Sequence, residues 1–238
     1  MVQPDENAPT PEDLSRYGAG ARVLDTAGIV GFFVLAAATI WRAWTGPPMP
    51  PVAVLATLGA GYVAADLFSG LVHWFFDTWL SVRTPLLGPM FVRPFREHHV
   101  DPLSITRHDF VEVNGSNCLA TCPVLVAALA IPPSSLPAQL AALALVALCF
   151  GIFCTNQFHR WAHLPSPPRA AKILQDLGLV LGRAHHAVHH QAPYARHYCI
   201  TTGWLNPVLD SIGFFRGLER VITGITGARA RAEDASLT

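Results

Sequence analysis

The chain has 238 residues, is 51% hydrophobic with a mean hydropathy of +0.35, and carries charge at only 13% of its positions, against ~25% for ordinary soluble domains. That supply cannot cover a water-facing surface of normal polarity. Sixteen basic and sixteen acidic residues cancel, so net charge points to neither nucleic acid nor an acidic substrate, and five cysteines without a CxxC pair exclude a zinc ribbon or a thioredoxin-like dithiol. Arginine supplies nearly all the positive charge, with Lys172 the only lysine, and the 11 histidines are clustered rather than scattered.

Residues 1–26 hold Asp5, Glu6, Glu12 and Asp13 among prolines and glycines, the composition of a disordered tail and not of a signal peptide. The domain proper is expected over 27–222, with a flexible tail at 223–238. From Ala27 to Trp44 an apolar run carries one charge, Arg42, able to snorkel from near the end of a membrane helix. GPPMPP at 46–51 breaks it. A second apolar run starts at Val52 and stays uncharged to Ala65, after which Asp66, Ser69, His73 and Asp77 enter, as in one long helix whose last turns become chemically loaded. Residues 81–117 are polar and punctuated by Pro85, Pro89, Pro94 and Pro102. Leu119–Ile131 is short for a span and predicts either a helix starting near Asn114 or a re-entrant segment. After the turn at 132–135, Leu136–Phe153 is again of span length and runs into Asn156, His159 and His163. The expected fold is all-α: a bundle of about four transmembrane helices under a histidine-rich cap.

The turns at 46–51 and 132–135 lack Lys and Arg, whereas Arg16, Arg22, Arg83, Arg93, Arg96, Arg107, Arg160, Arg169, Lys172 and Arg183 fall on the other side. By the positive-inside rule both termini and the histidines are expected in the cytoplasm, as parts of a multi-pass integral membrane protein. Arg42 fits that orientation poorly.

On a helix Asp66, Gly70, His73 and Asp77 lie within ~40° of one another. Such a stripe is either buried by hydrogen bonding in the bundle or a site, and the cost of ionisable groups inside a membrane favours a site. His159 and His163 stand at i, i+4 where the last span ends. In AHHAVHH, His186, His189 and His190 share one helical face, with His185 off it. Imidazoles so crowded would repel when protonated, and neutral rings directed at a metal explain the spacing better. His98 and His99 are adjacent, so sharing one metal would need a bend in the backbone. His73, His98, His99, His159, His163, His186, His189 and His190 with Asp77 make nine candidate ligands. One zinc takes about four. Nine suggest two metals, and nitrogen without thiolate suits iron. HExxH and GxSxG are both absent, which disfavours a zincin metalloprotease and a serine hydrolase.

The strings DLFSGLVHWFFDTW, RPFREHHVDPLSITRHDFVEVNGSNC, FHRWAH, HHAVHH and YCITTGWLN, across residues 60–222, resemble the Kua or CarF-type lipid desaturases. That family includes plasmanylethanolamine desaturases and plant fatty acid desaturase 4. The resemblance implies a multi-span enzyme with a non-haem di-iron centre that uses O₂ and electrons from a small carrier, such as cytochrome b5 or ferredoxin, to take two hydrogens from a lipid chain. It carries the metal-binding role to the eight histidines above and to Asp77, the essential aspartate of VHWxxDTW, for which it also implies a catalytic role. His108 and His185 lie within family motifs, and where some animal members have a histidine just after HHxxHH this chain has Tyr194, with His197 nearby.

Asp66, His108 and Asp109 are expected as hydrogen-bond partners of ligand rings, with His185 a further partner or ligand. Arg93, Arg96 and Arg107 are expected either to hold a lipid phosphate or to be ordinary positive-inside arginines. Three readings follow: an ether-phospholipid desaturase making the vinyl ether of plasmalogens, a desaturase of phospholipid acyl chains, and a non-catalytic metal-binding membrane signalling protein.

Overall fold

In the computed structural model the described residues are 18–80, 84–85, 92–228 and 230. Among them helices are the only regular secondary structure, with no strand. Four helices have the length and apolar composition to cross a membrane: α1 (Ala19–Trp44), α2 (Pro51–Thr78), α5 (Phe110–Ala130) and α6 (Leu136–His163). The shortest, α5, has 21 residues, which at a rise of ~1.5 Å per residue matches a hydrocarbon core of ~30 Å. Among the described residues six shorter helices build the cap: α3 (Arg93–Val100), α4 (Ser104–Arg107), α7 (Arg169–Asp176), α8 (Arg183–His186), α9 (Asn206–Ser211) and α10 (Phe214–Thr226).

Three boundaries differ from the sequence expectation. The first helix begins at Ala19, so residues 19–26 continue the span and do not belong to a tail; Asp25 lies against Gly115 of α5. The last helix runs to Thr226, so the first residues of the expected C-terminal tail are helix. The remainder of both tails, residues 1–17 and 231–238, lies outside the described residues, as do Arg83 and Pro89. The short apolar tract at 119–131 belongs to a full-length helix. Its N-terminus is set by Asp109, whose side chain accepts from the Val111 and Glu112 amides at 2.9 and 3.1 Å. Its polar first turns hid it from a hydropathy reading.

The bundle closes through small residues, as helices must where lipid supplies no hydrophobic drive for association. Gly61 of α2 faces Ala147 and the Ala144 carbonyl of α6, and Gly151 of α6 faces Ala65 of α2; a Cβ at either would stand within 2.5 Å of a neighbouring methyl. These contacts advance together along both helices, so α2 and α6 run parallel. Gly28 meets Leu119, and Gly31 meets Cys122, which makes α1 and α5 parallel too. Phe32, Cys118, Leu125, Val146, Cys149 and Phe153 fill the interior between α1, α5 and α6. At one end Gln139 Nε2 donates to the Ala43 and Pro47 carbonyls at 2.7 and 2.9 Å, tying the two arginine-free turns together. The histidine-bearing ends of α2 and α6 therefore meet at the other end, under the cap.

Candidate metal centre

The last turns of α2 bury Asp66, Ser69, Gly70, His73, Trp74 and Asp77. His159 and His163 are buried at the end of α6. Onto these ends the cap lays α3 with His98 and His99, and α8 with the turn that follows it, bearing His186, His189 and His190. All nine candidate ligands meet in two groups: His98, His159, His163, His186 and His190 in one, His73, Asp77, His99 and His189 in the other, each group's ligand atoms within 4.8 Å of one another. The groups adjoin, with ring centroids 5.5 Å apart for His189 and His190 and 6.4 Å for His98 and His99.

Adjacent histidines go to different groups. On α3 neighbouring side chains diverge by ~100°, so His98 and His99 need no bend because they do not share a destination. The same holds for His189 and His190. Helix α8 ends at His186 and gives way to a turn, so the expected helical face of His186, His189 and His190 is not formed. His189 is sent to the mixed group instead.

In the all-histidine group, His186 Nε2 lies 2.8 Å from His159 Nε2, 2.9 Å from His163 Nε2 and 3.0 Å from His190 Nε2. One ring nitrogen has one proton or one lone pair to offer, so it cannot satisfy three such contacts. His98 Nε2 is buried with no hydrogen-bond partner. Nitrogens bound at ~2.1 Å to one cation stand about 3 Å apart, which is the spacing seen. In the mixed group Asp77 Oδ2 is 3.4 Å from His73 Nε2, 3.5 Å from His99 Nε2 and 3.4 Å from His189 Nε2. Neither Asp77 oxygen has a hydrogen-bond partner, though the side chain is buried. A buried carboxylate without donors is costly. A cation satisfies both groups, so the residues fit metal ions.

Two rings are aimed by the backbone. His73 Nδ1 is 3.1 Å from the Tyr198 carbonyl and His189 Nδ1 is 2.8 Å from that of Arg196. A carbonyl only accepts, so each Nδ1 carries the proton and each Nε2 keeps its lone pair facing Asp77. Burial holds His98, His99, His186 and His190 neutral, the form that ligates. It lowers His99 to about 4 against the opposing pull of Asp77, lowers His190 to about 2 with help from His189 and His163, and drives His98 and His186 down with their histidine neighbours.

The other expected residues fall elsewhere. Asp66 touches no ligand ring: its carboxylate accepts the amides of Thr202, Gly203 and Leu205 at 2.8, 2.9 and 3.2 Å. It thereby fixes the 196–206 segment that supplies the two aiming carbonyls. His108 pairs with Glu112 at 2.5 Å on a half-exposed turn, and Asp109 caps α5 and pairs with Arg22 at 2.6 Å. His185 stacks on His197 with centroids 4.4 Å apart, and its Nε2 lies 3.0 Å from Asn206 Nδ2; it braces α8 against the same segment. Arg107 pairs with Asp101 in the open, while Arg93 and Arg96 lie on α3 beside the paired histidines. Sequence reasoning missed the role of the Arg196 and Tyr198 carbonyls, which no residue type encodes. Tyr194, singled out in the sequence only as standing where some family members have a histidine, stacks its ring on His99 at 4.5 Å and 5°.

Comparison with known proteins agrees with this arrangement. Residues 62–233 match the lipid desaturase domain. The chain belongs to the lipid desaturase family. The desaturase is 45% identical over 218 residues to the plasmanylethanolamine desaturase of Myxococcus xanthus, covering 92% of this chain and 78% of that one. It is 42% identical to plasmanylethanolamine desaturase 1 of Mus musculus, over 96% of this chain and 87% of the relative. With chloroplastic fatty acid desaturase 4 of Arabidopsis thaliana identity is 39%, over 73% of this chain and 53% of the plant protein. No solved structure matches it.

Proposed function

We propose that this desaturase is a plasmanylethanolamine desaturase, which converts the sn-1 O-alkyl chain of an ether phospholipid to the vinyl ether of a plasmalogen. The observation that carries the choice of substrate is the pair of matches at 45% and 42% identity, each covering more than three quarters of both chains. The match to the plant fatty acid desaturase covers about half of that protein, which supports the acyl-chain reading less.

Each group holds one iron ion, with Asp77 the only carboxylate among nine ligands. The preference for iron rests on imidazole and carboxylate ligation without thiolate. When bound, two such ions would supply the oxidising power that takes one hydrogen from each of two adjacent CH₂ groups; those two hydrogens, with two protons and two electrons from the carrier, reduce O₂ to two waters. Everything else falls to the chain. His73 and His189 are locked in the ligating tautomer by the Tyr198 and Arg196 carbonyls. His159, His186 and His163, all buried, keep bulk water from the centre. The electron donor is a small carrier of the cytochrome b5 or ferredoxin kind, docking on the polar side of the cap. Both termini and the polar side of the cap face the cytoplasm, as the arginine distribution favours.

The test uses an acid-labile product. A vinyl ether releases fatty aldehyde in mild acid and an ordinary alkene does not. Membranes containing the protein, 1-O-alkyl-2-acyl-glycerophosphoethanolamine, O₂ and a reducing carrier are expected to yield aldehyde, lost on iron chelation. A new acyl-chain double bond without aldehyde assigns the substrate to the acyl-lipid reading. Stoichiometric zinc and no iron in anaerobically prepared, iron-replete protein overturns the di-iron centre.

A further inference from the structure

Outside the four spans the short elements of the cap expose several large apolar side chains. Leu177, Leu179 and Trp204 are exposed where α7 ends and α9 begins, Val208 and Ile212 stand at i, i+4 on and just after α9, and Ile225 is 80% exposed on α10. Helix α10 is amphipathic: Phe215, Leu218 and Ile222 pack inward on the Trp74 cluster, while Arg216, Arg220 and Thr223 are its polar side. Its apolar face is wider than the core it covers, because Val221 and Ile225 remain open. Apolar surface of this extent implies an occupant.

Continuity with the spans identifies it. Tyr62 lies in the uncharged half of α2, and its hydroxyl donates to the Leu179 carbonyl at 2.8 Å. The Trp204 ring meets the Tyr62 ring edge to face at 5.9 Å, and Trp204 Nε1 donates to the Gly178 carbonyl at 2.6 Å. The cap therefore meets α2 at an apolar stretch N-terminal to its histidine-bearing turns, and the exposed side chains of 177–179 and Trp204 adjoin the span there. Tryptophan with its N–H satisfied and its ring flank open is suited to that boundary.

We propose that the cap is seated in the bilayer: the face formed by 177–179, Trp204, α9 and the open stripe of α10 is buried in the phospholipid leaflet next to the metal groups, in the manner of an interfacial amphipathic helix. Such helices sink their apolar face ~5–10 Å into the boundary between headgroups and chains. This holds whichever lipid is the substrate, and it lets a chain reach the centre sideways without leaving the membrane.

The full chain in phosphatidylcholine nanodiscs tests it, with a genetically encoded fluorescent amino acid at Leu177, Ile212 or Ile225. Val30, on the exposed side of α1, serves as the inserted control and Asp101, in the open turn before α4, as the aqueous one. Acyl-chain bromination of the lipid is expected to quench all three cap positions severalfold more than Asp101, approaching Val30. Quenching at Val30 with the cap positions matching Asp101 overturns the proposal. So does emission at the cap that ignores bromine but changes with the number of copies per disc, which makes a second copy the occupant.

Discussion

The two ligand groups are built in different ways. The mixed group around Asp77 is aimed from outside: His73 and His189 hang from backbone carbonyls of the 196–206 segment, and Asp66 holds that segment. In the all-histidine group no ring nitrogen bonds a backbone carbonyl among the described residues. His186 Nδ1 and His190 Nδ1 are buried without a hydrogen bond, and the five rings hold one another edge to face at centroid distances of 4.5–4.9 Å, as in the His98–His159 and His98–His190 pairs. One group is preorganised by hydrogen bonds and the other by packing. The first should respond to loss of charge and of backbone support, the second to loss of a ring.

The largest effects should come from the centre of each group. Asp77→Asn keeps volume but removes the negative charge that offsets a cation. Turnover should become undetectable and bound metal should fall by half, with membrane insertion unchanged; full metal content in that variant would break the pairing of Asp77 with one ion. His186→Ala removes the nitrogen that faces three others, so metal loss should be as complete, but from the other group. His190→Ala should be milder than His186→Ala, because five nitrogens exceed the about four that an ion commonly takes. Metal analysis by mass spectrometry on the three variants separates these outcomes.

Next in size is Asp66→Asn. Hydrogen bonds to a charged acceptor contribute about 1.5–3 kcal/mol each, and Asp66 accepts from three amides of the aiming segment. A fall of several degrees in melting temperature is expected, with weakened metal binding confined to the mixed group, read by metal titration of the purified variant. Equal loss from both groups would mean that the 196–206 segment organises the whole cap.

That these imidazoles and Asp77 belong together was legible because the signals are chemical. Imidazoles crowded into a low-polarity chain have few other uses, and the helical stripe of Asp66, His73 and Asp77 could be read from spacing alone. Partition between the groups was not legible, because it depends on α8 ending at His186 and on α3 pointing neighbouring side chains apart. Asp66 illustrates the remaining limit. Its stripe position made it look like a partner of a ligand ring, yet its donors are amides of Thr202, Gly203 and Leu205, far along the chain. A buried carboxylate announces that it needs donors without saying which. The four spans emerged from hydropathy, except where α1 and α5 begin in polar residues that hydropathy discards but capping and packing retain.

The two groups should also share a pH response in the metal-free protein. Burial lowers His99 to about 4 and His190 to about 2, below the ~6.5 of an unfolded histidine. Between ~6.5 and 4 the unfolded chain binds protons that the folded chain refuses, so stability rises with pH across that window and is lost on acidification. The apo protein should therefore melt progressively lower from pH 7 to pH 5, and the metal-loaded protein should lose its ions over the same range. A flat apo melting curve would mean that the empty groups relax and admit water.

The smallest effect is expected at Asp109, and it tests where the centre ends. Sequence placed this carboxylate near the ligands; the structure gives it the α5 cap and an exposed pair with Arg22 at 2.6 Å. That pair and the two capped amides hold the carboxyl below its usual range, but all of them face water, where screening leaves little net stabilisation. Asp109→Ser keeps an acceptor for the capped amides and removes only the charge. Metal content and turnover should be unchanged, with at most a small drop in melting temperature that vanishes at high salt. If Asp109→Ser costs metal or activity, the polar entrance of α5 is coupled to the centre through Asn114, which reaches Gln157 of α6 at 3.5 Å, and the distinction between ligand groups and scaffold must be redrawn there.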